Sequence, residues 1–235
     1  MNYSNAIELN QIEIRYGKDI VLKDINFTLA EGEFVAIFGE NGAGKTTLFR
    51  GILQLIPINK GSIKVLGKDI TKLRDKSWLR TQIGYVPQGH NTSKFPISVF
   101  DATLLGRWGT SFKYMKKPSK EDKEMTLEVL SLVDLKELKD TDCRNLSGGQ
   151  RQRLNIARAL VREPKILLLD EPNTHLDKES IERLEKTIIK IRESFKISIL
   201  MISHDHNRSY QISDRSILIK NGQSYSYEED DSWKY

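Results

Sequence analysis

The run Gly39-Glu40-Asn41-Gly42-Ala43-Gly44-Lys45-Thr46 sets glycines, a lysine and a hydroxyl at the spacing of a loop that wraps phosphate. In such a turn backbone N–H groups face phosphate oxygens, and the positive end of the following helix adds to the attraction. Gly42 and Gly44 let the backbone close around the phosphates without a side chain in the way, and Gly39 opens the binding loop. Lys45 is then placed for the β- and γ-phosphates and Thr46 for Mg²⁺, with Asn41 and Thr47 flanking the cradle. Further along, Ile166-Leu167-Leu168-Leu169-Asp170-Glu171 ends an apolar run in two carboxylates, where ligand sites of α/β sheets lie. Asp170 suits the holding of Mg²⁺, and Glu171 suits a general base acting on an attacking water. Neighbours on a strand face opposite ways, so the two acids are expected to take different tasks. The chemistry implied is attack of water on a Mg²⁺-bound phosphate chain.

A second run, Leu146-Ser147-Gly148-Gly149-Gln150, opens a helix in the later part of the chain. A fully specified five-residue string arises by chance on the order of once per few thousand chains, so its place between the loop and the acidic strand end carries weight. Ser147 and Gly149 would lie at a helix N-terminus, which attracts anions.

These residues need elements to position them. Residues 6–16 alternate Ile7/Leu9 and then Ile12/Ile14, an extended segment with a change of phase near Asn10. Residues 25–29 alternate as well. Residues 34–38 form a continuous apolar run, the pattern of a strand buried on both faces, and residues 45 to about 55 read as the helix after the loop. Short strands are expected at 62–66, 82–86 and 197–202, with a hairpin at 216–227 turning on Asn221-Gly222. From about Gly89 the period moves towards 3.6. It predicts helices over 99–105, from the capped start Pro118-Ser119-Lys120-Glu121-Asp122 to about 133, and over 147–161, with a long amphipathic helix over 178–195. The fold class expected is α/β: a phosphate-loop core with a mainly parallel sheet, an N-terminal antiparallel β subdomain and an inserted helical subdomain. All 235 residues are read as one domain, with the core at about 1–88 and 164–227, the helical part at about 89–163 and an acidic tail at 228–235.

The composition, 38% hydrophobic and 29% charged, is that of a globular protein, and no apolar run reaches the roughly 20 residues of a membrane span. The N-terminus lacks the pattern of a signal peptide. One cysteine, Cys143, excludes an internal disulfide. The net charge of +5 is spread among alternating signs, which speaks against a nucleic-acid partner. His90, His175 and His206 have no ligand constellation and are read as structural.

With the phosphate loop, the Ser147 run and the acidic strand end in order, the chain resembles the ATP-binding subunit of ATP-binding cassette transporters, over residues 7 to 227. Leu146–Gln150 resembles the family's signature sequence. Gln88, after Tyr85-Val86-Pro87, is similar to its Q-loop glutamine. His204 resembles the switch histidine, Asp177 the D-loop aspartate, and Tyr16 the aromatic that stacks on adenine. The resemblance implies that Lys45, Gln88, Glu171 and His204 serve hydrolysis of ATP, with Mg²⁺ held by Thr46, Gln88 and Asp170. It also implies a head-to-tail homodimer in which Ser147, Gly149 and Gln150 act on the partner's nucleotide. The lack of a span implies a separate polytopic permease, fed by an extracytoplasmic binding protein, with this chain peripheral on the cytoplasmic side of the membrane. Tyr85–Gln88, Phe95-Pro96-Ile97-Ser98-Val99 and Leu104–Arg107 are similar to importers of metal cations, ferric siderophores and cobalamin. Phe95 and Ile97 are expected to be exposed on a surface facing the permease. An importer for another solute is the alternative, and a cassette ATPase outside transport stands behind it.

Overall fold

The structure, a computed structural model, describes residues 4–73, 76–89, 95–108 and 117–227. Strand β1 (Asn5–Tyr16) pairs antiparallel with β2 (Asp19–Ala30) on one side and with β4 (Lys60–Val65) on the other, and β5 (Lys68–Asp69) completes this sheet. The change of phase in β1 is a bulge. Its pairing with β2 slips between Leu9 and Ile12, and Gln11 takes φ 49°. The extra residue returns Ile12 and Ile14 to the face already used by Ile7 and Leu9, so all four are buried in one core.

The second sheet has the order β10-β9-β3-β8-β7-β6, from β3 (Phe34–Phe38), β6 (Ile83–Val86), β7 (Ile166–Asp170), β8 (Ser198–Ile202), β9 (Arg215–Lys220) and β10 (Gln223–Tyr227). Every neighbouring pair is parallel except the β9–β10 hairpin, whose Asn221 and Gly222 take φ 51° and 74°. Both positive values are what a type I′ turn requires. β3, β7 and β8 are buried along their whole length. Leu168, Leu200 and Ile202 face the core shared with the first sheet, while Leu167, Leu169, Ile199 and Met201 face a second core under the helices. This is why their sequences read as unbroken apolar runs.

Helix α1 (Lys45–Ile52) follows β3, and α2 (Ser77–Gln82) precedes β6. Between β6 and β7 the chain forms α3 (Val99–Leu104), α4 (Lys120–Leu132) and α5 (Gly148–Leu160), the inserted helical segment. Both α4 and α5 open with capping boxes, Ser119 with Asp122 and Ser147 with Gln150. Helix α6 (Lys178–Phe195) buries Leu184, Thr187, Ile188 and Ile191, one stripe at helical spacing. Helix α7 (His206–Ile212) leads into β9.

Four expectations are corrected. α1 ends at Ile52 instead of running to about 55, because Gln54 takes φ 53° and turns the chain towards β4. β2 begins at Asp19, well before the alternating stretch, because the short β1–β2 turn keeps both strands paired to their ends. Phe95 is 77% exposed, but Ile97 is half-buried against the core under the helices. Glu171, expected on a strand beside Asp170, has left β7, as described below. His90 and residues 228–235 lie outside the described residues.

Candidate active site

The phosphate loop joins β3 to α1, and two of its glycines are fixed by contact. Gly39 has φ 148°, and a Cβ there would lie 2.2 Å from the carbonyl oxygen of Ile219 in β9. Gly44 caps α1 with φ 100°, and a Cβ there would lie 2.5 Å from Leu22 Cδ2 in β2. A side chain at either place forces the loop away from the sheets that hold it. Asn41 is exposed beside Gly42 at the crest, and Thr47 is half-buried in the first turn of α1. Lys45 Nζ donates to the carbonyls of Gly39 at 2.7 Å and Glu40 at 2.9 Å, so the ammonium is tucked under the loop. Burial pushes its pKa below the ordinary lysine value, while the charges of Glu171 and Asp170 pull it back up.

Asp170 ends β7 almost fully buried. Its Oδ1 accepts from Thr46 Oγ1 at 3.2 Å, and its Oδ2 accepts from the Tyr85 hydroxyl at 3.2 Å. Burial raises the pKa of this carboxylate, the Tyr85 and Thr46 hydrogen bonds oppose the rise, and the Glu171 charge adds to it. A hydroxyl and a carboxylate oxygen facing each other beside a phosphate loop are a hard-oxygen donor pair. Mg²⁺ uses few protein ligands of this kind beside phosphate, so the residues fit the ion.

Glu171 is aimed by backbone. It takes φ 48°, and its N–H donates to the Ile202 carbonyl at 3.1 Å. Strand alternation therefore does not set its direction, and the expectation that the two acids part as strand neighbours fails. Glu171 Oε1 lies 2.5 Å from His204 Nε2, and Oε2 accepts from Gln88 Nε2 and from Thr174 Oγ1 at 3.4 Å. Gln88 follows β6, Glu171 follows β7 and His204 follows β8, so three adjacent strand ends converge on one carboxylate. Gln88 donates from Nε2 to Glu171, and its Oε1 is the oxygen a hard cation would take.

Tyr16 ends β1 with 45% of its surface exposed. Ser147, Gly149, Gln150 and Asp177 form a separate group. Gln150 N–H donates to Ser147 Oγ at 3.2 Å, and Ser147 N–H donates to Gln150 Oε1 at 2.8 Å. Asp177 caps α6 through Ser180, at 2.9 Å to its N–H and 2.8 Å to its hydroxyl. A Cβ on Gly149 would lie 2.8 Å from that same Ser180 hydroxyl, so glycine lets α5 rest on the start of α6. Among the described residues no hydrogen bond joins this group to residues 39–47. Tyr85 and Thr174 touch the site and were not expected there. Tyr85 carried a signal, a polar-tipped aromatic on a short strand leading to Gln88.

A sequence profile of ABC transporters matches residues 22–174, which spans the phosphate loop, the Ser147 run and both acids. The chain belongs to the ABC transporter family. It is an ATP-binding cassette that hydrolyses ATP, with Mg²⁺ as the partner ion. It is 38% identical over 220 residues to an uncharacterised ABC transporter ATP-binding protein of Methanocaldococcus jannaschii, covering 94% of this chain and 84% of that one. Manganese transport system ATP-binding protein MntB of Bacillus subtilis is 36% identical over 214 residues, covering 91% and 82%. Spermidine/putrescine import ATP-binding protein PotA of Haemophilus influenzae is 35% identical over 217 residues, and there this cassette spans 56% of the relative's length. In structure the cassette is similar to CbiO1 from Clostridium perfringens, part of the transporter complex cbiONQ, with TM-score 0.85 and 29% identity over 94% of this chain and 87% of that one. It is also similar to a dimeric ATP-binding cassette in a post-hydrolysis state with ADP and Pi, with TM-score 0.78 and 28% identity over 94% and 99%.

Proposed function

We propose that this cassette drives uptake of a metal cation or metal chelate through a separate polytopic permease supplied by an extracytoplasmic binding protein. It works as a head-to-tail homodimer on the cytoplasmic side of the membrane. Residues of about 1–88 and 164–227 make the nucleotide-binding core, and about 89–163 make the helical part that serves the partner.

The observation that carries the catalytic reading is the grip on Glu171 by Gln88 and His204, beside the Thr46–Asp170 pair. Glu171 acts as the general base that orients and polarises water, and His204 and Gln88 hold its carboxylate in place. Lys45 leaves the Gly39 and Glu40 carbonyls to take the β- and γ-phosphates, while the backbone of the loop holds them. Thr46, Gln88 and Asp170 hold Mg²⁺, which when bound neutralises charge building on the phosphate oxygens. Tyr16 presents its exposed ring to adenine. A groove of about 450 Å³ lined by Leu53, Leu55, Tyr85, Leu105, Arg158 and Arg162 gives the permease a seat between core and helical part. The similarity to MntB and CbiO1 supports a metal-linked cargo, and the similarity to PotA favours, as second reading, an importer for another solute.

Glu171→Gln tests the catalytic reading because it keeps the shape and removes the base. Steady-state hydrolysis should fall by about 10²–10⁴ with ATP binding kept, and the variant should collect as an ATP-bound dimer on size exclusion. Turnover near that of the unaltered protein would place the base elsewhere. Uptake assays with the assembled transporter decide the cargo: manganese or a metal chelate supports the first reading, and a polyamine or sugar overturns it.

A further inference from the structure

We propose that Tyr85 is a positioning residue that ties the metal-holding carboxylate to the groove between the core and the helical part. The proposal rests on the reading of Thr46 and Asp170 as the Mg²⁺ pair. β6 is the edge strand of the six-stranded sheet, and Tyr85 is its penultimate residue. Its hydroxyl donates to Asp170 Oδ2 at 3.2 Å, while the other oxygen of that carboxylate accepts from Thr46 at 3.2 Å. The two hydroxyls thus fix the plane of the carboxylate from opposite ends. The Tyr85 ring stands edge-on to Phe49 of α1, with centroids 6.4 Å apart and planes at 80°. Pairing with Leu168 of β7 sets its height along the sheet. The ring is therefore braced by the phosphate-loop helix on one side and by the sheet below.

Tyr85 also lines the groove, together with Leu53, Leu55, Leu105 and Arg158. One side chain spans from the groove to the Asp170 carboxylate. The permease segment seated in the groove under the proposed function presses on the ring, and a ring that pivots on Phe49 carries its hydroxyl along Asp170 Oδ2. The carboxylate is nearly fully buried and has no slack to absorb that movement. Groove occupancy thereby sets how Asp170 meets the metal, a shorter route than one through the helical part.

The test reads metal binding without turnover, in the full chain with a non-hydrolysable ATP analogue and Mn²⁺ followed by electron paramagnetic resonance. Tyr85→Phe keeps the ring and removes the donor. It should raise the Mn²⁺ dissociation constant about tenfold, the loss expected for one hydrogen bond to a carboxylate. Affinity for the analogue without metal should stay unchanged, while the melting temperature of the apo protein should fall by a few degrees, since the same hydrogen bond to the buried carboxylate is lost. Tyr85→Leu should shift Mn²⁺ binding in the same direction, so the result does not hang on one variant. Leu55→Trp, which adds bulk in the groove, should shift Mn²⁺ affinity in the Tyr85 protein and leave it unmoved in Tyr85→Phe, a non-additive cycle. Mn²⁺ affinity within twofold of the original in Tyr85→Phe overturns the positioning role. A Leu55→Trp shift of equal size in both backgrounds, or none in either, overturns the link to the groove. Because no hydrolysis is measured, these outcomes stay separate from that of Glu171→Gln.

Discussion

At the scale of single residues, side chains in this site are aimed as much by backbone as by residue type. Lys45 folds under its own loop, Glu171 turns out of β7 at φ 48°, and Tyr16 stands at the hairpin end of β1 with nearly half its surface exposed. If the ring of Tyr16 stacks on adenine, its contribution is that of a flat apolar face, worth about 1–3 kcal/mol for a base on an aromatic. Tyr16→Ala should then weaken ATP binding by about tenfold or more, and Tyr16→Phe should keep it. Equilibrium titration with a fluorescent ATP analogue checks both. A loss in Tyr16→Phe equal to that in Tyr16→Ala would assign the role to the hydroxyl. Lys45, Thr46 and Asp170 were legible in the sequence because loop spacing and a buried strand end dictate their positions. The Tyr85–Asp170 bond was not, since it depends on the register of β6 against β7, which no local pattern encodes. The direction of Glu171 was misread for a related reason. A left-handed turn at a glutamate is rare, and nothing in Asp170-Glu171-Pro172 marks it.

At the scale of elements, the helical part is held by an ion pair that joins three pieces of chain. Arg107, in the short 3-10 turn after α3, donates to Asp122 at 2.6 Å, to the Val161 carbonyl at 2.7 Å and to Glu163 at 3.1 Å. Asp122 is also the N3 residue of the α4 capping box, and its side chain is only 4% exposed. Arg107→Met leaves that carboxylate buried without its cation, a change that costs about 3–5 kcal/mol in comparable pairs. The melting temperature of the apo protein should fall by several degrees. Adding Asp122→Leu should recover part of the loss by removing the stranded charge, against the loss of the cap. Thermal unfolding of the two variants checks the pair, and equal stability of Arg107→Met and the original protein would show the pair to be dispensable. The capped starts of α4 and α5 and the stripe of α6 were legible because caps and periodicity are local. β5, α2 and α7 were not, since pieces of two to seven residues are too short to display a period and are fixed by the elements around them.

At the scale of the whole molecule, the groups expected to act on one nucleotide form two separate clusters in one chain. Lys45, Thr46, Asp170, Glu171, Gln88 and His204 meet at the strand ends, while Ser147 and Gln150 cap α5 and Gly149 rests on the start of α6 at Ser180. The start of α5, capped by Ser147, is a helix N-terminus, the kind of end that attracts anions. In the head-to-tail dimer proposed above, the twofold axis that brings α5 to the partner's phosphates brings the partner's α5 to this chain's. Ser147→Arg should therefore abolish hydrolysis while leaving ATP binding by the isolated chain intact, and Lys45→Ala should abolish hydrolysis by damaging the chain's own cradle. Mixed, the two inactive proteins should regain activity, because a hybrid dimer unites the intact loop of one protomer with the intact Ser147 of the other. Its second site carries both lesions and stays silent. With sites acting independently, a one-to-one mixture reaches at most roughly a quarter of the original rate, half the dimers being hybrids with one working site each. Turnover of the mixture against each variant alone is the measurement. A mixture as inactive as its components, or a Ser147→Arg chain that no longer binds ATP as a monomer, would place Ser147 at its own chain's nucleotide and remove the reason for pairing.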